Sequence, residues 1–337
     1  MLKKLTEAFG VSGCDKEVRD IIIDEIKDYV TDIKILKDSN IIAFKKGRKT
    51  SDKKIMISAH TDEVGLMVKD ITKEGYLEIC SVGGIDSRIL PSKKVYVGDN
   101  KIPGIIGIKA VHMTDKKERE ELIPIEKLYV DIGAYDYLDA LNYINRGDYI
   151  LFDSSYEELS STRIMAKALD DRVGVKILID LLKEESEYDF YAVFNSLEEI
   201  GLKGAMTASY YINPDIALIL EGTTCSDVLD TKEHLQSTNL SKGTALSIWD
   251  KASISDAKLN DYIINLAKKE GIPLQYKRTN KGGNDAGAIQ VAKDGCKTAV
   301  LSVPLRYIHS PVCVMDKNDF NSAFKIAKAF LNNVGGL

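Results

Sequence analysis

The stretch KIMISAHTDEVG, residues 54–65, decides the fold. Ile55 to Ile57 is a short apolar run suited to a strand buried on both faces, and polar residues led by His60 follow it at once. In open α/β sheets the loops that leave the carboxyl ends of strands converge on a crevice, and ligands gather there. A histidine at such an exit is therefore a candidate metal ligand. Asp62, two residues on, can accept the other ring N–H, which fixes the tautomer and makes the free nitrogen more basic. On its own the HxD pattern also suits a histidine that is simply satisfied by a neighbouring acid.

On the amino-terminal side, Val18, Ile22 and Ile26 share one face of a helix expected over residues 15–29. On the other side the texture changes. Between about residues 66 and 160, short runs such as YLEICSV, KVYVG, GIIGI, KLYVDIG and DYILF alternate with Gly, Pro and charged turns, with at most one short helix over residues 135–144. This pattern predicts a small β-barrel inserted into another domain. Helical and strand periodicities then alternate to the end: DDRVGVKILIDLLKEE, YDFYAVFNS, GLKGAMTASYYI, DIALILEG, a helix over residues 257–269 closed by Gly271, IPLQYKR, TAVLSVPL and a last helix over residues 316–331. The expected fold is α/β, a mixed central sheet flanked by helices. Residues 1–65 and 161–337 would form one domain, with residues 66–160 as the insertion.

Further acids and a second histidine stand at strand ends or helix starts. ALDDRVG puts Asp170 and Asp171 where a helix begins, so they either cap it or let one carboxylate bridge two cations. NSLEEIG puts Glu198 and Glu199 on an irregular exit, where one can ligate while the other works as general base. Glu221 follows the apolar run of LILEGT, where an unpaired charge is costly. His309 in RYIHSP comes shortly after a strand expected to end near Val303. The chain has four histidines; His112 and His234 lie in polar, loop-like stretches and are given no role. Two imidazoles and three carboxylates are a donor set for two divalent ions, which together can activate a water and stabilise a developing oxyanion.

Bulk properties narrow the partners. With 337 residues, 44% of them hydrophobic, the chain can bury a large core. The net charge of −5, with basic residues interspersed among acidic ones, offers no basic face to nucleic acid and no polybasic segment to a membrane. MLKKLTEAFGVSG lacks the apolar run of a signal peptide, and no later run approaches the roughly 20 residues that span a bilayer, so a cytoplasmic location is expected. Five scattered cysteines without a CxxC pair argue against a disulfide framework or a thiolate zinc site.

Taken in order, GVSGCDKEVRD (residues 10–20), SAHTDEVG (58–65), KALDDRVG (167–174), NSLEEIGLKGA (195–205), KGGNDAGAI (281–289) and RYIHSP (306–311) resemble the motifs of the tetrahedral (TET) aminopeptidases, a family of dinuclear zinc exopeptidases, from end to end. The resemblance implies that Asp170 bridges two metals, that His60 and Glu221 complete one site and Glu199 with His309 the other, and that Glu198 is the general acid/base. It also implies a cis bond between Asp170 and Asp171, and it puts Asp285 near the substrate. Zinc is the first expectation, and cobalt or manganese suit a similar O/N set. Short peptides would be the substrates, and the inserted domain would build dimers and then a homododecamer. Two departures stand out: many relatives carry aspartate at the position of Glu221, with a different loop after it, and NDAG replaces the commoner TDAG. The alternatives are a metal-dependent amide deacylase on the same scaffold and a non-catalytic assembly protein of this fold. A glycosidase built on Glu198 and Glu199 would leave both histidines unexplained.

Overall fold

The computed structural model describes residues 1–336. The chain begins with α1 (Leu2–Glu7), α2 (Lys16–Ile26), β1 (Asp32–Ile35), β2 (Ile41–Lys45) and β3 (Ile55–His60). It then enters β4 (Gly65–Ile71), β5 (Leu77–Val82), β6 (Lys94–Val97), β7 (Ile102–Gly107), α3 (Lys116–Glu120), β8 (Tyr129–Asp131), α4 (Tyr137–Ala140) and β9 (Tyr149–Phe152). The return passes through β10 (Glu157–Glu158), β11 (Arg163–Ala166), α5 (Leu169–Lys183), β12 (Phe190–Asn195), α6 (Lys203–Ile212) and β13 (Ile216–Thr224). It ends with β14 (Thr244–Ser247), α7 (Ala257–Glu270), β15 (Leu274–Tyr276), α8 (Ala286–Ile289), β16 (Lys297–Arg306), β17 (Cys313–Asp316) and α9 (Lys317–Asn333). None of these helices is long and apolar enough to cross a membrane.

Two bodies of sheet result. Eleven strands form one mixed sheet in the order β1-β2-β12-β3-β13-β16-β17-β11-β10, with β14 and β15 attached beside β16. At its centre β12, β3, β13 and β16 run parallel, with Asn195 opposite His60 and Glu221 opposite Ser302. Their carboxyl ends therefore open on one crevice. These strands are buried on both faces: Ile55, Ile57 and Ala59 pack with α1, α2, α5, α7 and α9, whereas Met56 faces α6 and α8. Truncating such a residue, Ile57 for example, costs about 2–5 kcal/mol.

The second body is a closed barrel, β4-β5-β8-β7-β6-β9, with its own core around Leu66, Val68, Leu77, Ile79, Val95 and Val130. The α/β class and the barrel agree with expectation, but several elements differ. A second short helix, α3, stands in the barrel segment, where Asp115 and Glu118 close a capping box that the run of charged residues concealed. The helix expected over residues 15–29 stops at Ile26. Glu221 does not leave the sheet at a strand exit. β13 continues to Thr224 because β16 runs beside it in register as far as Leu305.

Candidate metal centre

The Asp170–Asp171 turn separates two acids that their spacing alone does not distinguish. Their peptide bond is cis, and both residues have non-helical dihedrals, so the regular part of α5 starts after them. Asp171 caps that helix, accepting the Gly174 N–H at 3.0 Å, and its other oxygen accepts the backbone N–H of His60 at 3.3 Å. Asp170 faces the cleft instead. Its Oδ1 lies 3.4 Å from His60 Nε2 and its Oδ2 3.3 Å from His309 Nε2. Each imidazole has one more acid beside it: Glu221 Oε2 at 3.7 Å from His60 Nε2, and Glu199 Oε1 at 3.4 Å from His309 Nε2.

The sheet supplies these positions. His60 closes β3, Glu221 sits within β13, and Glu198 and Glu199 lie on the turn after β12, where Leu197 and Leu202 have positive φ. His309 follows β16 and is itself left-handed at φ 56°. Asp62 has a different task from the one expected of its carboxylate. The Nδ1–H of His60 is met by the carbonyl oxygen of Asp62 at 3.0 Å, while the nearer carboxylate oxygen lies at 3.6 Å, too far for a hydrogen bond. That carboxylate accepts the N–H groups of Glu198 and Glu199 at 3.1 and 3.2 Å. One loop thus orients the imidazole and pins the two-glutamate turn.

Asp285 does not itself border the cleft. It is buried behind the wall, accepting from Asn195 Nδ2 at 2.8 Å, and its neighbour Asn284 lines the cleft. The cleft, about 420 Å³, is bordered by His60, Asp170, Glu198, Glu199, Glu221 and His309, with Lys277 and Lys281 on its rim. A larger hollow of about 650 Å³ between the end of α7 and α9 holds no cluster of ligating side chains. Sequence reasoning missed the two lysines and also Gly84, a barrel residue on the cleft wall, because nothing local distinguishes them from solvated loop positions.

The donor set fits divalent cations. His60 with Asp171 and Glu221, His60 with Glu198 and Glu199, and Asp170 with Glu199 and His309 each present ligand atoms within 4.8 Å of one another. Asp170 Oδ1 is buried without a hydrogen-bond partner, and buried acids outnumber the imidazoles. Burial pushes Glu198 and Glu221 well above the usual carboxylate range, aided by neighbouring acids. It also raises Glu199 to about 7 and Asp285 to about 6. For His309 burial acts downward, but Asp170 and Glu199 outweigh it and raise the imidazole to about 9. Burial likewise acts upward on Asp62 and Asp170, yet the imidazoles beside them, and for Asp62 also the Glu198 N–H, hold both below their ordinary values.

These shifts set the pH dependence of the cation-free protein. A group raised in the folded state contributes stability that is whole below its unfolded value and is lost as pH climbs through its folded one. The window is 4.5 to about 7 for Glu199 and 6.5 to about 9 for His309. Asp62 and Asp170, held low, lose their contribution only in acid. The Tm of metal-free protein is therefore expected to fall between pH 5 and 8. Ligands must be deprotonated to bind, so the Tm gain on adding zinc should be larger at pH 8 than at pH 5. Thermal melts at both values check this; an equal or smaller gain at pH 8 would contradict it.

With this geometry in hand, comparison with known proteins is informative. A family model described as M42 glutamyl aminopeptidase matches residues 39–326. The chain is 33% identical to a lysyl aminopeptidase of Pyrococcus furiosus over 99% of its own length and 96% of that protein. It superposes on an aminopeptidase from the archaeon Desulfurococcus kamchatkensis with a TM-score of 0.94 and 35% identity, covering 98% of this chain and 93% of the other. The Pyrococcus horikoshii TET1 peptidase, described as assembling into a tetrahedron or a large octahedral shell, matches with a TM-score of 0.87 and 33% identity over 98% of both chains.

Proposed function

Because the chain belongs to the M42 glutamyl aminopeptidase family and so is a peptide-bond hydrolase, we propose that it is a dinuclear metal-dependent aminopeptidase acting on the free amino end of short peptides. One observation carries the dinuclear reading: the two oxygens of Asp170 face different imidazoles, each with a further carboxylate beside it. His60, Asp170 and Glu221 would hold one cation, and Asp170, Glu199 and His309 the other, with zinc first and cobalt or manganese also suited. When bound, such a pair supplies Lewis acidity and lowers the pKa of water from 15.7 toward about 7.

The protein's own groups supply the rest. Glu198 borders the same cleft without being assigned to either site, and burial gives its carboxylate a high proton affinity. It is the group proposed to take the proton of the attacking water and deliver it to the departing amine. Asp62 supports this role by holding the backbone of that turn. Metal-stripped protein titrated with zinc, and assayed on peptides with free and with acetylated amino ends, tests the proposal. Two equivalents should restore hydrolysis of the free peptides. Turnover of the acetylated ones alone would favour the deacylase, and no turnover at two equivalents would favour an assembly protein.

The rim of the cleft supports a preference for the first residue. Lys277 and Lys281 border it together with Gly222, Thr223 and Thr224, and neither ammonium has an ion-pair partner among the described residues. Two unpartnered cations favour an acidic side chain and disfavour a basic one. Lys277→Glu combined with Lys281→Glu is expected to lower kcat/KM for N-terminal glutamyl substrates about 10- to 100-fold and to raise it for lysyl ones. Unchanged ratios in a substrate panel would refute the assignment.

The barrel segment, residues 66–160, is proposed as the module of self-association leading to a dodecamer built from dimers. Exposed Val111, Met113, Leu122, Tyr135 and Leu138 support this reading, since exposed apolar groups on a small body suit an interface. Residues 1–65 and 161–337 would be the catalytic domain. All five cysteines are free, which suits the cytoplasm.

A further inference from the structure

Behind the proposed ligands, three segments meet on one buried guanidinium. Arg172 is wholly buried. Its Nε donates to the carbonyl oxygen of Thr61 at 2.7 Å and its Nη1 to that of Leu5 at 2.7 Å. Its Nη2 donates to Glu63 Oε1 at 3.0 Å and to the Gly10 carbonyl at 3.3 Å. Lys167 joins from the same turn, donating to both oxygens of Glu63 at 2.8 and 3.0 Å and to the carbonyl of Ala8 at 3.0 Å. The amino-terminal segment is stitched to the same loop, with Glu63 N–H donating to Gly10, Ser12 N–H to Glu63, and Thr61 Oγ1 to Asp15 at 2.7 Å.

Thr61 lies between His60 and Asp62, and Arg172 follows Asp170 by two residues. We infer that Arg172 is a positioning residue whose guanidinium sets the spacing between the His60–Asp62 loop and the Asp170 turn, so that cation affinity depends on it although it touches no cation. The inference rests on the metal reading of the site. Its physical basis is the fixed fork of five N–H donors, which reaches four acceptors on two segments, the amino-terminal stretch and the His60–Glu63 loop; a lysine ammonium has three donors and no fork. Glu63 and Lys167 supply a compensating pair around it, and a buried pair of that kind is weak evidence of stability by itself.

Two variants perturb the fork and one spares it. Arg172→Lys keeps the charge and removes the geometry. Gly10→Ala leaves every charge in place, but a Cβ there would stand 2.1 Å from Arg172 Nη2 and 2.7 Å from Val18 Cγ2, so the guanidinium must move. The double variant Glu63→Gln with Lys167→Met keeps the net charge of the cluster and leaves Arg172 its three carbonyl acceptors. Calorimetric titration of metal-stripped protein with zinc, below each variant's Tm, should show binding weakened at least 10-fold in R172K and in G10A, and by no more than about 3-fold in the double variant. In R172K, kcat should recover at saturating zinc. Wild-type affinity in R172K and G10A, with only Tm lowered, would overturn the inference, as would equal weakening in all three; if R172K does not fold, G10A decides. Wild-type protein that takes up no zinc would overturn the metal reading and this inference with it, whereas two tight zinc ions in wild type and variants alike would overturn this inference alone.

Discussion

Replacing Glu198 with Gln is expected to lower kcat by about 10²- to 10⁴-fold while leaving two zinc ions per subunit in place. The amide keeps the volume and polarity of the side chain but cannot take a proton at neutral pH, so only the proton-transfer step is lost. That range corresponds to about 3–5 kcal/mol of barrier. The turn itself should hold, because Asp62 grips Glu198 and Glu199 through their backbone N–H groups and not through their side chains. Elemental analysis of the dialysed protein, together with turnover of an aminoacyl amide at saturation, gives both readings. Full activity in the variant would remove Glu198 from its proposed role; a variant that loses its zinc would make the residue a ligand instead.

How much of this was legible in the sequence depended on whether the deciding contact is local. His60 and the β3 run could be read together, because an apolar strand followed at once by a histidine is a pattern within a dozen residues. The parallel exits of β3 and β12 and the barrel texture were legible for the same reason. Glu221 was placed at a strand exit because the length of β13 depends on β16, a partner about 80 positions away in the chain. The roles of Asp170 and Asp171 could not be separated from spacing; that needed the turn geometry that points one carboxylate into the cleft and the other onto Gly174 and His60. The HxD spacing points to the Asp62 carboxylate as the partner of His60, whereas the carbonyl oxygen of the same residue reaches the imidazole first, which no residue pattern reveals. Arg172 stood in a motif that was read, yet no local pattern marks an arginine whose acceptors lie on Leu5, Gly10 and Thr61.

Asp170→Asn is expected to have the largest effect of all, because it removes the one group proposed to serve both cations. An ionised carboxylate presents two equivalent acceptors, here directed at His60 and His309. An amide presents one oxygen and an NH2 group, which would point its hydrogens at whichever position the lost oxygen served. Groups that merely orient ligands are worth about 10- to 100-fold in metal affinity, so a shared ligand should cost more than about 100-fold. The variant should retain at most one zinc ion after dialysis and show no turnover above background. Glu221→Asp is the matched control: it shortens a ligand but keeps its charge, and it should retain both ions and most of the activity. The two glutamate variants then define what the Asp170 result means. If Glu198→Gln keeps metal and loses turnover while Asp170→Asn loses both, ligand and base are distinct groups. If Asp170→Asn holds two zinc ions and turns over normally, no bridging carboxylate exists, and the dinuclear reading falls with it.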